Sequence, residues 1–195
     1  MQLKDGYNLQ NGKYRIIRVL GQGGFGITYL AVHTMLDKLV AIKEFFPKEY
    51  CDRDETTSHL TIGTRNSAKI VEILKSKFIK EAKNISKLSH PNIITIHDIF
   101  QENGTAYYVM EYIRGASLSE MVKQDGAMPE DKAIGYIRKI ADAVGYMHSL
   151  SMNHLDLKPA NIMVRDTDDE PILIDFGLSK QYDASGEQTS TTPIG

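Results

Sequence analysis

Between positions 154 and 161 the chain reads His154-Leu155-Asp156-Leu157-Lys158-Pro159-Ala160-Asn161, and a second acidic turn, Asp175-Phe176-Gly177, follows a short apolar run. An aspartate, a lysine, an asparagine and a further carboxylate are the parts that phosphoryl transfer requires. Asp156 can orient a hydroxyl and accept its proton, Lys158 can stabilise charge on the group in transfer, and Asn161 with Asp175 offers oxygen ligands to magnesium. Either aspartate alone reads first as a solvated or capping residue; the combination is what points to chemistry. Far upstream, Gly21-Gln22-Gly23-Gly24-Phe25-Gly26 fits G-x-G-x-x-G. Glycines let a backbone approach polyphosphate and cradle its oxygens with successive N–H groups, or they simply make a hairpin turn. The dinucleotide-binding version needs a helix after the glycines, and Ile27, Tyr29 and Val32 follow with a strand pattern instead. Val40-Ala41-Ile42-Lys43 closes another strand pattern with a lysine that either faces solvent from a sheet edge or reaches for phosphate. In the second case its flexible stem needs a carboxylate to aim it. Glu81, between Phe78 and Ile85, is the candidate, its alternative being a solvated helix residue.

The elements that must position these groups follow from periodicity. Tyr14 to Leu20 and Ile27 to Val32 predict a hairpin around the glycines, and Leu39 to Phe45 a third strand ending at Pro47. Cys51 to Asn66 is polar and without period, which predicts an exposed loop. From Ala68 to Leu88 the apolar residues Ile70, Ile73, Leu74, Phe78, Ala82, Ile85 and Leu88 recur at three and four, the spacing of an amphipathic helix ended by His90-Pro91-Asn92. Two strands, Ile94 to Phe100 and Ala106 to Tyr112, flank the turn Glu102-Asn103-Gly104. After Arg114-Gly115 the pattern turns helical. Ser117 with Glu120 predicts a capped short helix, and Pro129 opens a longer one with Ile134, Ile137, Ile140, Ala141, Val144 and Met147 on one face. Ile162 to Val164 and Ile172 to Ile174 predict a small hairpin.

Composition narrows the class. With 195 residues, 42% hydrophobic and 25% charged, the chain has room for one domain or two small lobes and is neither disordered nor fibrous. Lys and Arg total 23 against 25 Asp and Glu, a net charge of -2, too balanced for a general nucleic-acid binder. The lone Cys51 excludes an intrachain disulfide and suits a reducing compartment. Neither a signal peptide nor an apolar run of about 18 residues is present, so the expectation is a cytoplasmic chain without a membrane segment.

With motif order, spacing and strand or helix context taken together, the chain resembles a bacterial, eukaryotic-like serine/threonine protein kinase from about Tyr14 past Asp175. The resemblance implies an α+β, two-lobed fold: residues 1–112 as a β-rich lobe with one main helix, and 113–195 as part of a mainly helical lobe. It implies ATP and Mg2+ as cofactors and a protein substrate with a Ser or Thr acceptor. By that likeness Asp156 and Lys158 are catalytic, and Asn161 and Asp175 hold metal. Gly21, Gly23, Gly24, Phe25, Gly26, Thr28, Ala41, Lys43, Glu81, Met110, Glu111, Ile113 and Met163 contact nucleotide. Lys43 pairs with Glu81, Met110 is the gatekeeper, the backbone of Glu111 and Ile113 bonds adenine, and Ala41 and Met163 sandwich it. His154 and Phe176, with Ile85, resemble a packing spine.

Several features depart from the family pattern. Thr28 stands where valine is usual, and Leu155 replaces the arginine that normally precedes the catalytic aspartate, so activation through that arginine is not expected. Thr189, Ser190, Thr191 and Thr192 form a Ser/Thr cluster open to phosphorylation or merely polar. Lys43 and Glu81 are separated by 37 residues, about twice the separation the likeness implies, and the excess, Pro47 to Asn66, reads as an inert surface insertion before one that docks a partner or biases the helix. The chain stops 18 residues after Gly177 without an Ala-Pro-Glu motif, which reads as a catalytic domain truncated in its second lobe. Two other functions remain open at this level: a nucleotide-binding scaffold without turnover, and a small-molecule phosphotransferase of the same fold.

Overall fold

The computed structural model describes residues 2–176, and Gly177 and the cluster Thr189 to Thr192 lie outside the described residues. Within them the chain forms two compact units. The first comprises the described residues up to Lys87 and Thr95–Tyr112; the second comprises Leu88–Ile94 and the described residues from Ile113 onward.

The first unit is built on an antiparallel sheet. Alternating apolar residues make β2 (Tyr14–Gln22), β3 (Gly26–His33) and β4 (Lys38–Phe45), and the turn at Asn103 and Gly104, both at positive φ, joins β7 (Ile96–Glu102) to β8 (Thr105–Glu111). With the short β1 (Asn8–Leu9) the strand order is β1-β2-β3-β4-β8-β7, so β4 is paired along both edges. Successive side chains leave a strand on opposite faces. One face of this sheet gathers Tyr29, Val40, Ile42, Tyr107 and Val109 into a core with Leu3, Leu9, Phe46 and Cys51. On the other, Phe78 of α1 (Arg65–Ile85) packs against the rings of Phe45 and Tyr108, 5.6 and 5.1 Å between centroids.

Two expectations change here. The segment Cys51 to Asn66 is not an exposed loop: β5 (Cys51–Arg53) and β6 (Leu60–Ile62) form a hairpin in which Cys51 and Arg53 are buried and Asp52 faces out. Its polarity hid a period of two because one of the buried residues is an arginine. The helix α1 starts at Arg65, where Thr64 accepts the Ser67 N–H as N-cap, and buries Val71, Phe78, Ala82 and Ile85, leaving Ile73 exposed. Phe78, Ala82 and Ile85 thus bear out the expected stripe, and only its edge differs, Val71 being covered in place of Ile73 because the sheet the helix packs on chooses the side.

The second unit holds α2 (Leu118–Asp125), begun by the expected Ser117/Glu120 capping box, and α3 (Glu130–Ser149) with Pro129 as N-cap. The buried face of α3 is Tyr136, Ile140, Ala143 and Met147, whereas Ile134, Ile137 and Ala141 are exposed. Beside the helices, β9 (Gly115–Ser117), β10 (Ile162–Arg165) and β11 (Pro171–Leu173) make a sheet in the order β11-β10-β9. The strand β9 had no sequence signal: Gly115 pairs with Arg165 so closely that a Cβ there would overlap the Val164 carbonyl.

Candidate functional site

In the first unit the candidates sit on β2 to β4, β8 and α1. Lys43 stands in register between Thr28 and Tyr108, on a strand paired on both sides, so it is no edge residue. Its Nζ lies 5.9 Å from the centroid of the Tyr108 ring, a distance at which the ring's π face attracts a cation. Gly26 pairs with Phe45, and a Cβ at Gly26 would come within 2.7 Å of the Glu44 carbonyl oxygen and 3.8 Å of Lys43 Cε. The glycine loop and the lysine stem are therefore neighbours. Gly21, Gly23 and Gly24 differ: a Cβ on any of them would meet nothing within 4 Å, and none adopts positive φ. The chain requires glycine at position 26 for its own packing and makes no such demand at the other three. The loop tip is closed by Gly23 N–H donating to the Gly26 carbonyl at 2.9 Å, and Phe25 is exposed. Glu81 is half-buried on α1, one turn from Phe78 and Ile85. Ala41 and Met110 face each other in register and are buried, and the Glu111 N–H donates to the Thr95 carbonyl at 3.0 Å.

In the second unit the motif from His154 to Asn161 folds into one hydrogen-bonded cluster. Lys158 Nζ lies 2.8 Å from Asp156 Oδ2, and Asn161 Nδ2 donates to the same oxygen at 2.9 Å and to the Asp156 carbonyl at 2.8 Å. The Lys158 ammonium holds the Asp156 carboxyl below the usual carboxylate range, with Asn161 adding to it against some burial. Because the amide of Asn161 gives its nitrogen to Asp156, the carbonyl end, Oδ1, is the end left to accept. The backbone completes the frame. Pro159–Asn161 form one turn of 3-10 helix, Asn161 N–H donates to the Lys158 carbonyl, and Ile174 N–H donates to the Asn161 carbonyl at 3.0 Å. That last bond fixes the residue before Asp175 against the loop. His154 is buried, its Nδ1 accepting the Asp156 N–H at 3.3 Å and its ring tilted on Phe176 at 4.8 Å. Burial keeps its imidazole below the usual histidine range, against the pull of the Asp156 and Asp175 carboxylates, which suits a packing role. Leu155 takes φ of 59°, unusual for a branched side chain, so the loop is held in a strained turn next to its aspartate. Met163 lies on β10 opposite Ser117 and Ile172. Ile113 is buried at the start of this unit's long segment.

Among the described residues no cluster of three or more His, Cys, Asp or Glu is arranged to hold a metal. Nor is any helix among them long and apolar enough to cross a membrane. Sequence reasoning passed over one buried cluster altogether: Glu44, Arg53, Tyr29 and Tyr107 in the first unit. The signal was present, since Glu44 continues the inward alternation of Val40 and Ile42, but a glutamate in that position was not read as buried.

Comparison with known proteins gives a consistent result. Residues 14–194 match the family model described as protein kinase domain. The chain is 33% identical over 183 residues to a probable serine/threonine-protein kinase of Clostridium acetobutylicum, covering 93% of this chain and 24% of that protein. It is 31% identical to serine/threonine-protein kinase PrkC of Bacillus subtilis over 169 residues, covering 87% of this chain and 23% of the relative. The chain thus spans about a quarter of the length of these curated relatives. Among solved structures, PpkA-294 in its apo form superposes with a TM-score of 0.84 at 27% identity, covering 90% of this chain and 62% of that one. Rad53 1–466 in complex with AMP-PNP superposes with a TM-score of 0.67 at 27% identity, covering 86% and 39%.

Proposed function

Since the chain belongs to the protein kinase domain family, we propose that it is the ATP- and Mg2+-dependent catalytic part of a cytoplasmic serine/threonine protein kinase, passing the γ-phosphoryl group of ATP to a Ser or Thr hydroxyl. The observation that carries this reading is the hydrogen-bonded cluster of Asp156, Lys158 and Asn161, continued through the Asn161 carbonyl to the segment that bears Asp175. Asp156, kept ionised, accepts the hydrogen bond of the incoming hydroxyl and takes its proton as the oxygen attacks phosphorus. Lys158, on the same carboxylate, is within reach of the phosphoryl oxygens whose charge it offsets. Two oxygen donors, Asn161 Oδ1 and the Asp175 carboxylate, fit magnesium, which prefers few protein ligands and completes its shell with water and phosphate. Bound there, the cation supplies charge neutralisation and alignment of the phosphates.

In the first unit we assign Lys43, aimed by Glu81, to the phosphate oxygens, and the loop from Gly21 to Gly26, with Phe25 at its tip, to covering them. Open space around Gly21, Gly23 and Gly24 supports this, because it leaves their backbone accessible to a ligand. Thr28, Ala41, Met110, the backbone of Glu111 and Ile113, and Met163 are assigned to the nucleoside. The AMP-PNP held by the Rad53 structure supports the choice of nucleotide. Lys158, two residues after Asp156, favours a Ser/Thr acceptor, in keeping with the names of the relatives.

The decisive experiment is Asp156→Asn. Transfer of phosphate from γ-labelled ATP to a protein acceptor is expected to fall by roughly 10²-fold or more, with Mg·ATP binding by calorimetry retained. Full transfer by the variant overturns the assignment. Binding without transfer by the parent chain would instead identify a nucleotide-binding scaffold.

A further inference from the structure

The insertion between Lys43 and Glu81 carries a buried arginine, and its partner is the residue next to Lys43. Glu44 is fully buried. Its carboxylate accepts three hydrogen bonds: from Tyr29 of β3 at 2.7 Å, from Tyr107 of β8 at 2.8 Å, and from Arg53 Nη2 of β5 at 2.5 Å. The guanidinium also donates through Nη1 to the Ser58 carbonyl at 2.7 Å and lies 5.3 Å from the Phe46 ring centroid. The two tyrosines are tied in turn to other segments. Tyr29 Oη accepts the Leu3 N–H, and Tyr107 Oη accepts from Asn103, whose Oδ1 accepts from Tyr7. A carboxylate with no solvent contact is tolerable only with such partners, and it fixes whatever carries it.

What it fixes is β4. Adjacent residues of a strand project to opposite faces, so Glu44 anchors the strand from the core side while Lys43 leaves it on the other. The same hairpin continues through Gly63 and the N-cap Thr64 into α1, the helix of Glu81. One arginine therefore tethers the strand of the lysine to the segment that starts the helix of the glutamate. Building on the assignment of Lys43 to the phosphates, we propose that Arg53, acting through Glu44, is a positioning residue for Lys43. The insertion is then a working part of the nucleotide site and not an inert surface loop. Arginine suits this better than lysine, because its planar fork reaches Glu44 and the Ser58 carbonyl together.

Removing Arg53 alone leaves Glu44 charged, buried and short of a partner, which damages the fold as well as the site. The test therefore uses the 195-residue chain with both changed, Glu44→Gln with Arg53→Met, where the amide oxygen accepts from one tyrosine, the amide N–H donates to the hydroxyl oxygen of the other, and no buried charge is left. The melting temperature is expected to stay within a few degrees of the parent, while the Kd for Mg·ATP by calorimetry rises roughly tenfold. In a Lys43→Met background the same pair of changes is expected to add nothing, because non-additivity marks residues that act through one another. Arg53→Lys, which keeps the charge but loses the fork, is expected to weaken binding in the same direction by a smaller factor. A Kd within about twofold of the parent in the double variant, or a weakening that persists without Lys43, overturns the inference alone. Failure of the parent chain to bind Mg·ATP overturns the kinase reading, and the positioning role with it.

Discussion

Gly23 and Gly26 belong to one loop, yet the chain makes opposite demands on them. A methyl group at 26 would press on the Glu44 carbonyl oxygen, a backbone atom paired in the sheet, while one at 23 would stand in open space. Gly26→Ala is expected to lower stability by about 1 to 3 kcal/mol, the usual range for forcing extra volume into packed structure. Gly23→Ala is expected to leave the melting temperature unchanged and to weaken Mg·ATP binding, so thermal melts and calorimetry on the two variants separate packing from ligand contact. Asp156 makes a second test at this scale. Its carboxyl is held down chiefly by Lys158, so it stays ionised below the ordinary value of about 4 and protonates only at lower pH. A group with a depressed folded value contributes stability above its unfolded value and loses it as pH falls through the folded one. Titration of the Asp156 carboxyl carbon by NMR is expected to give a midpoint below that of an ordinary aspartate, moving up in Lys158→Ala; an unmoved midpoint would show that the ion pair does not govern it.

At the level of elements, much was legible because caps and turns are local. Ser117 accepts the Glu120 N–H and Glu120 returns a bond to the Ser117 N–H, so α2 begins where its sequence says. Ser117→Ala is expected to cost about 1 kcal/mol in chemical denaturation, the worth of an N-cap. The strand β9 shows the opposite case. Gly115 is needed because the Val164 backbone occupies the space of its Cβ, and Val164 is almost fifty positions away in the chain. Gly115→Ala is expected to cost about 3 kcal/mol or more, beyond the ordinary range of single changes, since backbone must move to admit it. The hairpin of β5 and β6 was illegible for a related reason. A buried arginine looks like a surface residue until its carboxylate partner, on a different strand, is known.

For the molecule as a whole, the segment ahead of the family match at residue 14 is part of the first unit's core: Leu3 and Leu9 are buried beside Tyr29 and Ile42. Leu9→Ala is expected to destabilise by about 2 to 5 kcal/mol, like a large-to-small change in any packed interior, measured by urea unfolding. A value near zero would mean that this segment only lies on the surface. Periodicity, turn residues and motif spacing determined by themselves that this chain has a glycine loop between two strands, a lysine strand, a capped helical half and an Asp-Lys-Asn loop, because those features depend on residues within a few positions of one another. Which side each helix buries was decided only by tertiary structure. Ile73 of α1 and Ile137 of α3 are exposed while Val71 and Tyr136 are buried, since an apolar side chain is covered only where a neighbour supplies the surface. The same holds for Glu44 and Arg53. Charge drives both toward water, and only their meeting in the folded chain, with two tyrosines to complete the carboxylate's bonds, makes burial the stable arrangement.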